Sequence, residues 1–86
     1  MNVRLHPHAQ ERLRDRGATE PEVIATVQQG ERIPAKYGRL GFRRNFAYNG
    51  QWRGRWYASK QVEAFAVQEP DPPDSWLVIT VIVRFF

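Results

Sequence analysis

Eighty-six residues, 42% hydrophobic and 26% charged, fit one globular domain: too apolar for a disordered chain and too short for two stable cores. With no cysteine, a disulfide framework and a thiolate zinc site are excluded, and two histidines close together, His6 and His8, make a metal site improbable on the sequence. The net charge is +4, from 13 Lys and Arg against 9 Asp and Glu, and its meaning depends on where the charges fall.

The opening residues, Met1 to His6, hold no apolar signal region. The longest apolar run, Trp76 to Val83, falls far short of the roughly 20 residues that a membrane helix needs. A cytoplasmic protein without membrane contact is expected. No P-loop, dinucleotide fingerprint or serine elbow is present, so no cofactor is expected.

In chain order, the first third predicts two helices spanning about 7–29. Pro7 suits a first helical turn, where a missing N–H costs nothing. Leu5, Ala9 and Leu13 recur every four residues as a buried stripe, and Gly17 supplies the stop. Thr19-Glu20-Pro21-Glu22 has the form of a capping box. Val23, Ile24 and Val27 form the second apolar face, and Gly30 ends it.

After Gly30 the period changes to two. Arg32 to Tyr37 is a candidate first strand, followed by the alternation of Phe42, Arg44, Phe46 and Tyr48. Asn49-Gly50 predicts a tight hairpin turn. Trp52 to Ala58 and Val62 to Gln68 read as extended, with a turn near Ser59-Lys60. Pro70 to Asp74 forms a rigid loop that cannot join a ladder. Trp76 to Phe86, nearly all apolar, predicts a strand in the middle of the sheet, with Leu77, Ile79, Val81, Val83 and Phe85 as the bed for the helices. The expected architecture is a single α+β domain, residues 1–86, with two N-terminal helices packed on a four- to five-stranded antiparallel sheet.

Two groups of residues carry candidate chemistry. His8, Arg12 and Arg16 share one helix face at spacings of four. Imidazole moves protons near neutral pH, and guanidinium stabilises charge building on a phosphorane. Thr80 and Arg84 are the polar members of the last strand and need either a partner or a task. The alternatives are a solvated helix face and a strand threonine bonded to a neighbour.

The second group is a run from Arg32 to Lys60 with eight positive charges and no acid. Arg43, Arg44, Arg53, Arg55 and Lys60 interleave there with Trp52, Trp56 and other aromatics. Rings that stack bases among cations that neutralise phosphates are the physics of single-stranded nucleic-acid binding. The alternative is that the rings pair across the hairpin and the cations face water.

His8-Ala9, Arg12-Leu13, Arg16-Gly17, Glu22-Val23 and Gly30-Glu31, followed by Leu77-Val78-Ile79-Thr80-Val81, resemble a bacterial family of unknown function. That family is similar to RelE-like and BrnT-like toxins and to colicin-type tRNases. The resemblance implies a RelE-like or barnase-like fold and RNA cleavage by the ribose 2′-hydroxyl without a metal. It also implies a toxin–antitoxin pair, in which an acidic antitoxin is the protein partner. Carried over by position, it marks His8, Arg12, Arg16 and Thr80 as catalytic, with Arg43, Arg44, Lys60 and Arg84 as supporting cations; in that reading Thr80 and Arg84 complete the floor of the catalytic pocket beside His8. Two features depart from the family: a longer, more aromatic stretch from Asn49 to Ser59, and no lysine-rich cluster. A non-catalytic nucleic-acid-binding module and a basic protein-interaction subunit are the alternative readings.

Overall fold

Both expected helices form. In the computed structural model, which describes Met1 to Phe86, α1 runs Pro7–Arg16 and α2 runs Glu20–Gln29. His6 caps α1, its Nδ1 accepting from the His8 N–H at 3.1 Å, and Pro7 takes the first turn. Gly17 ends α1 at φ 81°, a left-handed conformation that an L side chain adopts only under strain. Thr19 and Glu22 complete the capping box of α2 in both directions. Ala9 and Leu13 from α1, with Val23 and Val27 from α2, are buried.

The sheet has five strands: β1 (Asn2–Leu5), β2 (Glu31–Ile33), β3 (Leu40–Trp52), β4 (Arg55–Glu69) and β5 (Ser75–Phe85), in spatial order β1-β5-β4-β3-β2. The fold is therefore α+β as expected, but the sheet is mixed: β1 precedes the helices and pairs parallel to β5, from Asn2 opposite Ser75 to Leu5 opposite Val78. Leu5 belongs to this strand and not to the helix, although it is buried with the stripe it was grouped with. β5 is interior, flanked by β1 and β4, while the middle position belongs to β4. The expected strand at Arg32 to Tyr37 shrinks to three residues, Glu31–Ile33.

The hairpin differs most from expectation. β3 runs straight through Asn49-Gly50, and the turn is Arg53-Gly54, with φ of 53° and 80°, the positive pair that a two-residue hairpin requires. Asn49 does take a positive φ, 49°, but within a bulge where Tyr48 and Asn49 face Ala58 alone. Carrying the strands past Asn49 lets Trp52 stack on Phe85 at 5.1 Å, with Tyr48 and Tyr57 around the same ring. That aromatic packing outweighs a favourable turn sequence. For the same reason no turn forms at Ser59-Lys60, where β4 is continuous. The long hairpin stretches the molecule to 42 × 24 × 21 Å.

A second bulge sits in β5. Thr80 pairs with Phe65 and Val78 with Ala66, leaving Ile79 as an extra residue. The helix-facing set therefore switches from Trp76 and Val78 before the bulge to Val81 and Val83 after it. The uniformly odd-numbered bed expected for the helices is half right. The helix-side core gathers Val62, Ala64 and Ala66 of β4 with Phe42, Val78 and Val81, all nearly or wholly buried. No helix is long and apolar enough to cross a membrane.

Candidate functional site

α1 enters beside β5 just where β1 stops, and its buried Ala9 and Leu13 press one side against the sheet. The spacing of four then aligns His8, Arg12 and Arg16 along the flank facing β5. Between helix and strand lies a cavity of about 170 Å³, lined by these three residues with Ala9, Ile79, Thr80 and Val81. The Ile79 bulge and the end of β1 leave the room for it.

The His8 imidazole and the Arg12 guanidinium make no hydrogen bond or ion pair within the chain, and both residues are exposed. Arg16 is half-buried and donates one N–H to the Val81 carbonyl, so its guanidinium is held against the strand with further donors free. No carboxylate lines this cavity. Such an arrangement suits an anion: two guanidinium groups to bind it and one imidazole to exchange a proton.

Thr80 stands between two sites. Its pairing with Phe65 puts its side chain on the sheet face opposite the helices, because the neighbouring Val81 and Val83 face the helices. On that open face Thr80 and Phe65 line a second hollow with Lys36, Tyr37 and Arg39. The sequence counts Lys36 and Arg39 in the basic run but singles out neither them nor Tyr37 as lining a site. Tyr37 and Gly38 both take positive φ, 61° and 71°, in the loop that lines this hollow, and Tyr37 is 87% exposed.

Arg84 does not join the α1 cavity. It shares the open face with Thr80 and is tied to Glu63 at 2.5 Å. Grouping it with His8 required the helices and the even-numbered strand face to meet, and they lie on opposite sides of the sheet.

The basic run is less free than its sequence implies, because the fold brings acids to it from outside. Arg43 pairs with Glu31, and Lys60 is 5% exposed, with Nζ 2.7 Å from Glu22 and 2.8 Å from the Gly17 carbonyl. Arg44 donates to Gln29 and lies over the Phe46 ring. Arg53 reaches the Asp15 carbonyl at the end of α1 and covers Trp52. Arg55 lies over Tyr57, and Trp56 is 59% exposed. Lys60 is therefore a structural cation, Trp52 is largely a packing residue, and Arg55 with Trp56 stays open to a ligand. No group of three His, Cys, Asp or Glu side chains is placed to hold a metal ion. Compared with known proteins, the chain matches no family model, no curated protein and no solved structure.

Proposed function

We propose that the chain is a small endoribonuclease of the RelE-like toxin type, with its reactive centre in the cavity between α1 and β5. The observation that supports this reading is the convergence of His8, Arg12 and Arg16 on one cavity without a carboxylate, beside the strand that carries Thr80. RNA would enter with its scissile phosphate against Arg12 and the free donors of Arg16. The ribose 2′-oxygen attacks phosphorus as His8 accepts its proton, the bond to the 5′-oxygen breaks, and that oxygen is protonated by the imidazolium or water. The products are a cyclic phosphate and a 5′-hydroxyl.

Two helices on one side of a largely antiparallel sheet suit the RelE-like or barnase-like attribution, with the parallel β1 as an addition. In this reading the protein is cytoplasmic, and an acidic antitoxin covers the cationic flank of α1. Purified protein incubated with total RNA in EDTA should yield cyclic-phosphate ends. Proton transfer is worth about 10²–10⁴-fold, so His8→Ala should lose at least about a hundredfold of the rate. Intact RNA, or equal cutting by a folded His8→Ala variant, refutes the mechanism.

One observation favours a second reading. Trp56, 59% exposed at the hairpin tip, offers a ring on which a base can stack, and exposed Arg55, over the Tyr57 ring, offers a cation on the other face of the same strand end. A non-catalytic RNA-binding module would use this tip, and Arg55→Ala would then lower the log–log salt slope of binding by about one.

A further inference from the structure

The strand that forms one wall of the cavity has an edge that no other strand pairs. β1 accompanies β5 only to Val78, where the His6 N–H closes the ladder on the Val78 carbonyl at 2.8 Å. From Ile79 to Phe85, β5 has β4 on one side and no strand on the other. In an antiparallel ladder, residues two apart direct both main-chain groups to the same side. Phe86 exchanges its N–H and carbonyl with Ser59, at 3.0 and 2.8 Å. Arg84, Ile82 and Thr80 therefore point theirs at β4, while Val81, Val83 and Phe85 point theirs outward.

A single side chain meets these outward groups: Arg16, on the Val81 carbonyl. Exposed edges are templates for pairing with another chain, and proteins usually cover or charge them. Here one guanidinium stands guard. Along the edge runs a groove made of the α1 cavity and a second hollow of about 280 Å³ at the hairpin tip, where Asp15, Trp52 and Arg53 close it. Arg16 borders both. The rim carries His8, Arg12, Arg16 and Arg53 against one carboxylate, Asp15.

We infer that the edge of β5 from Ile79 to Phe85 accepts an extended acidic segment of a partner protein as an added strand. The alternation of donor and acceptor fits a polypeptide, since a row of phosphates would meet the N–H groups but offer no donor to the Val83 and Phe85 carbonyls. The cationic rim selects acidic side chains on that segment. The added strand continues the line of β1 and lies across the mouth of the His8 cavity. It is independent of RNA cleavage: a chain that cuts no RNA still presents this edge.

The test uses the full-length, isotope-labelled chain and a capped peptide of about nine residues alternating valine with glutamate. Amide shifts should concentrate on Ile79 to Phe85, and hydrogen exchange at the Val81 and Val83 amides should slow. The same peptide N-methylated at every second residue keeps its charge but cannot pair, and should bind at least about tenfold more weakly. Equal binding of the methylated peptide, or no shift along β5 at about millimolar peptide, overturns the inference. So does equal protection of the Val83 amide by a short oligouridylate, which would make the edge a nucleic-acid contact.

Discussion

Replacing Lys60 by methionine separates structure from ligand binding. The ammonium group lies 2.7 Å from Glu22 and 2.8 Å from the Gly17 carbonyl, with 6% of its side chain exposed. Methionine keeps the apolar stem and removes the charge. Breaking a buried pair leaves the partner ion uncompensated and costs about 3–5 kcal/mol. Glu22 retains the Thr19 N–H and is 22% exposed, so the lower end, about 3 kcal/mol, applies. For a domain of about this size each kcal/mol moves Tm by about 4–8 °C, so a fall of about 12 °C or more is expected. Urea unfolding of the wild type, Lys60→Met, Glu22→Gln and the double variant gives the coupling energy. The double variant should recover much of the loss. RNA affinity, measured where both proteins are folded, should be unchanged. A stability loss under about 1 kcal/mol, or a selective loss of RNA affinity, would show that Lys60 is a ligand-facing cation after all.

Trp52→Ala should cost about 2 kcal/mol of stability by removing the ring stacked on Phe85, whereas exposed Trp56→Ala should stay within about 0.5 kcal/mol and lower RNA affinity instead; denaturation and fluorescence titration of both variants check the contrast. Gly17→Ala should destabilise by about 2 kcal/mol or more, because the backbone there is held at φ 81° and an added Cβ meets the Phe85 ring at 2.8 Å; calorimetry reads the loss. The hydrogen bond from Arg4 holds the Glu69 carboxyl below its ordinary value. A depressed folded-state value stabilises above the unfolded value and is lost as pH falls through the folded one. The Tm gap between wild type and Glu69→Gln should therefore be present at neutral pH and close in acid.

Local signals carried the helices. Pro7, Gly17 and the Thr19–Glu22 box act within a few residues of themselves, so their effect could be read without knowing the fold. β1 was hidden because four residues give too short a period, and its partner, Ser75 to Val78, lies at the far end of the chain. The hairpin was misplaced because Asn49-Gly50 satisfies two geometries, turn and bulge, and the choice is made by Phe85, a tertiary neighbour. Charge misled in the same way. Arg43 and Lys60 looked free because their acids, Glu31 and Glu22, lie outside the run and meet it only in the folded sheet. His8, Arg12 and Arg16 could be grouped from the sequence because they share one helix, whereas the separation of Arg84 required the sheet's two faces.

Arg16 is where the two proposals meet. Its guanidinium already serves the Val81 carbonyl, borders both hollows and lies one helical turn beyond Arg12. A phosphate in the cavity can share it, because the bond to Val81 uses one of five N–H donors. An added strand cannot, because it needs the Val81 carbonyl itself. Strand docking must therefore turn Arg16 off the carbonyl, and the acidic side chains of the incoming segment are the natural recipients of the released cation. The two occupants then compete for the same residue and the same space. Raising the peptide concentration should reduce RNA cleavage in proportion to its occupancy of β5. Cleavage that continues at full occupancy would place the reactive centre elsewhere, leaving the strand edge intact as a docking site.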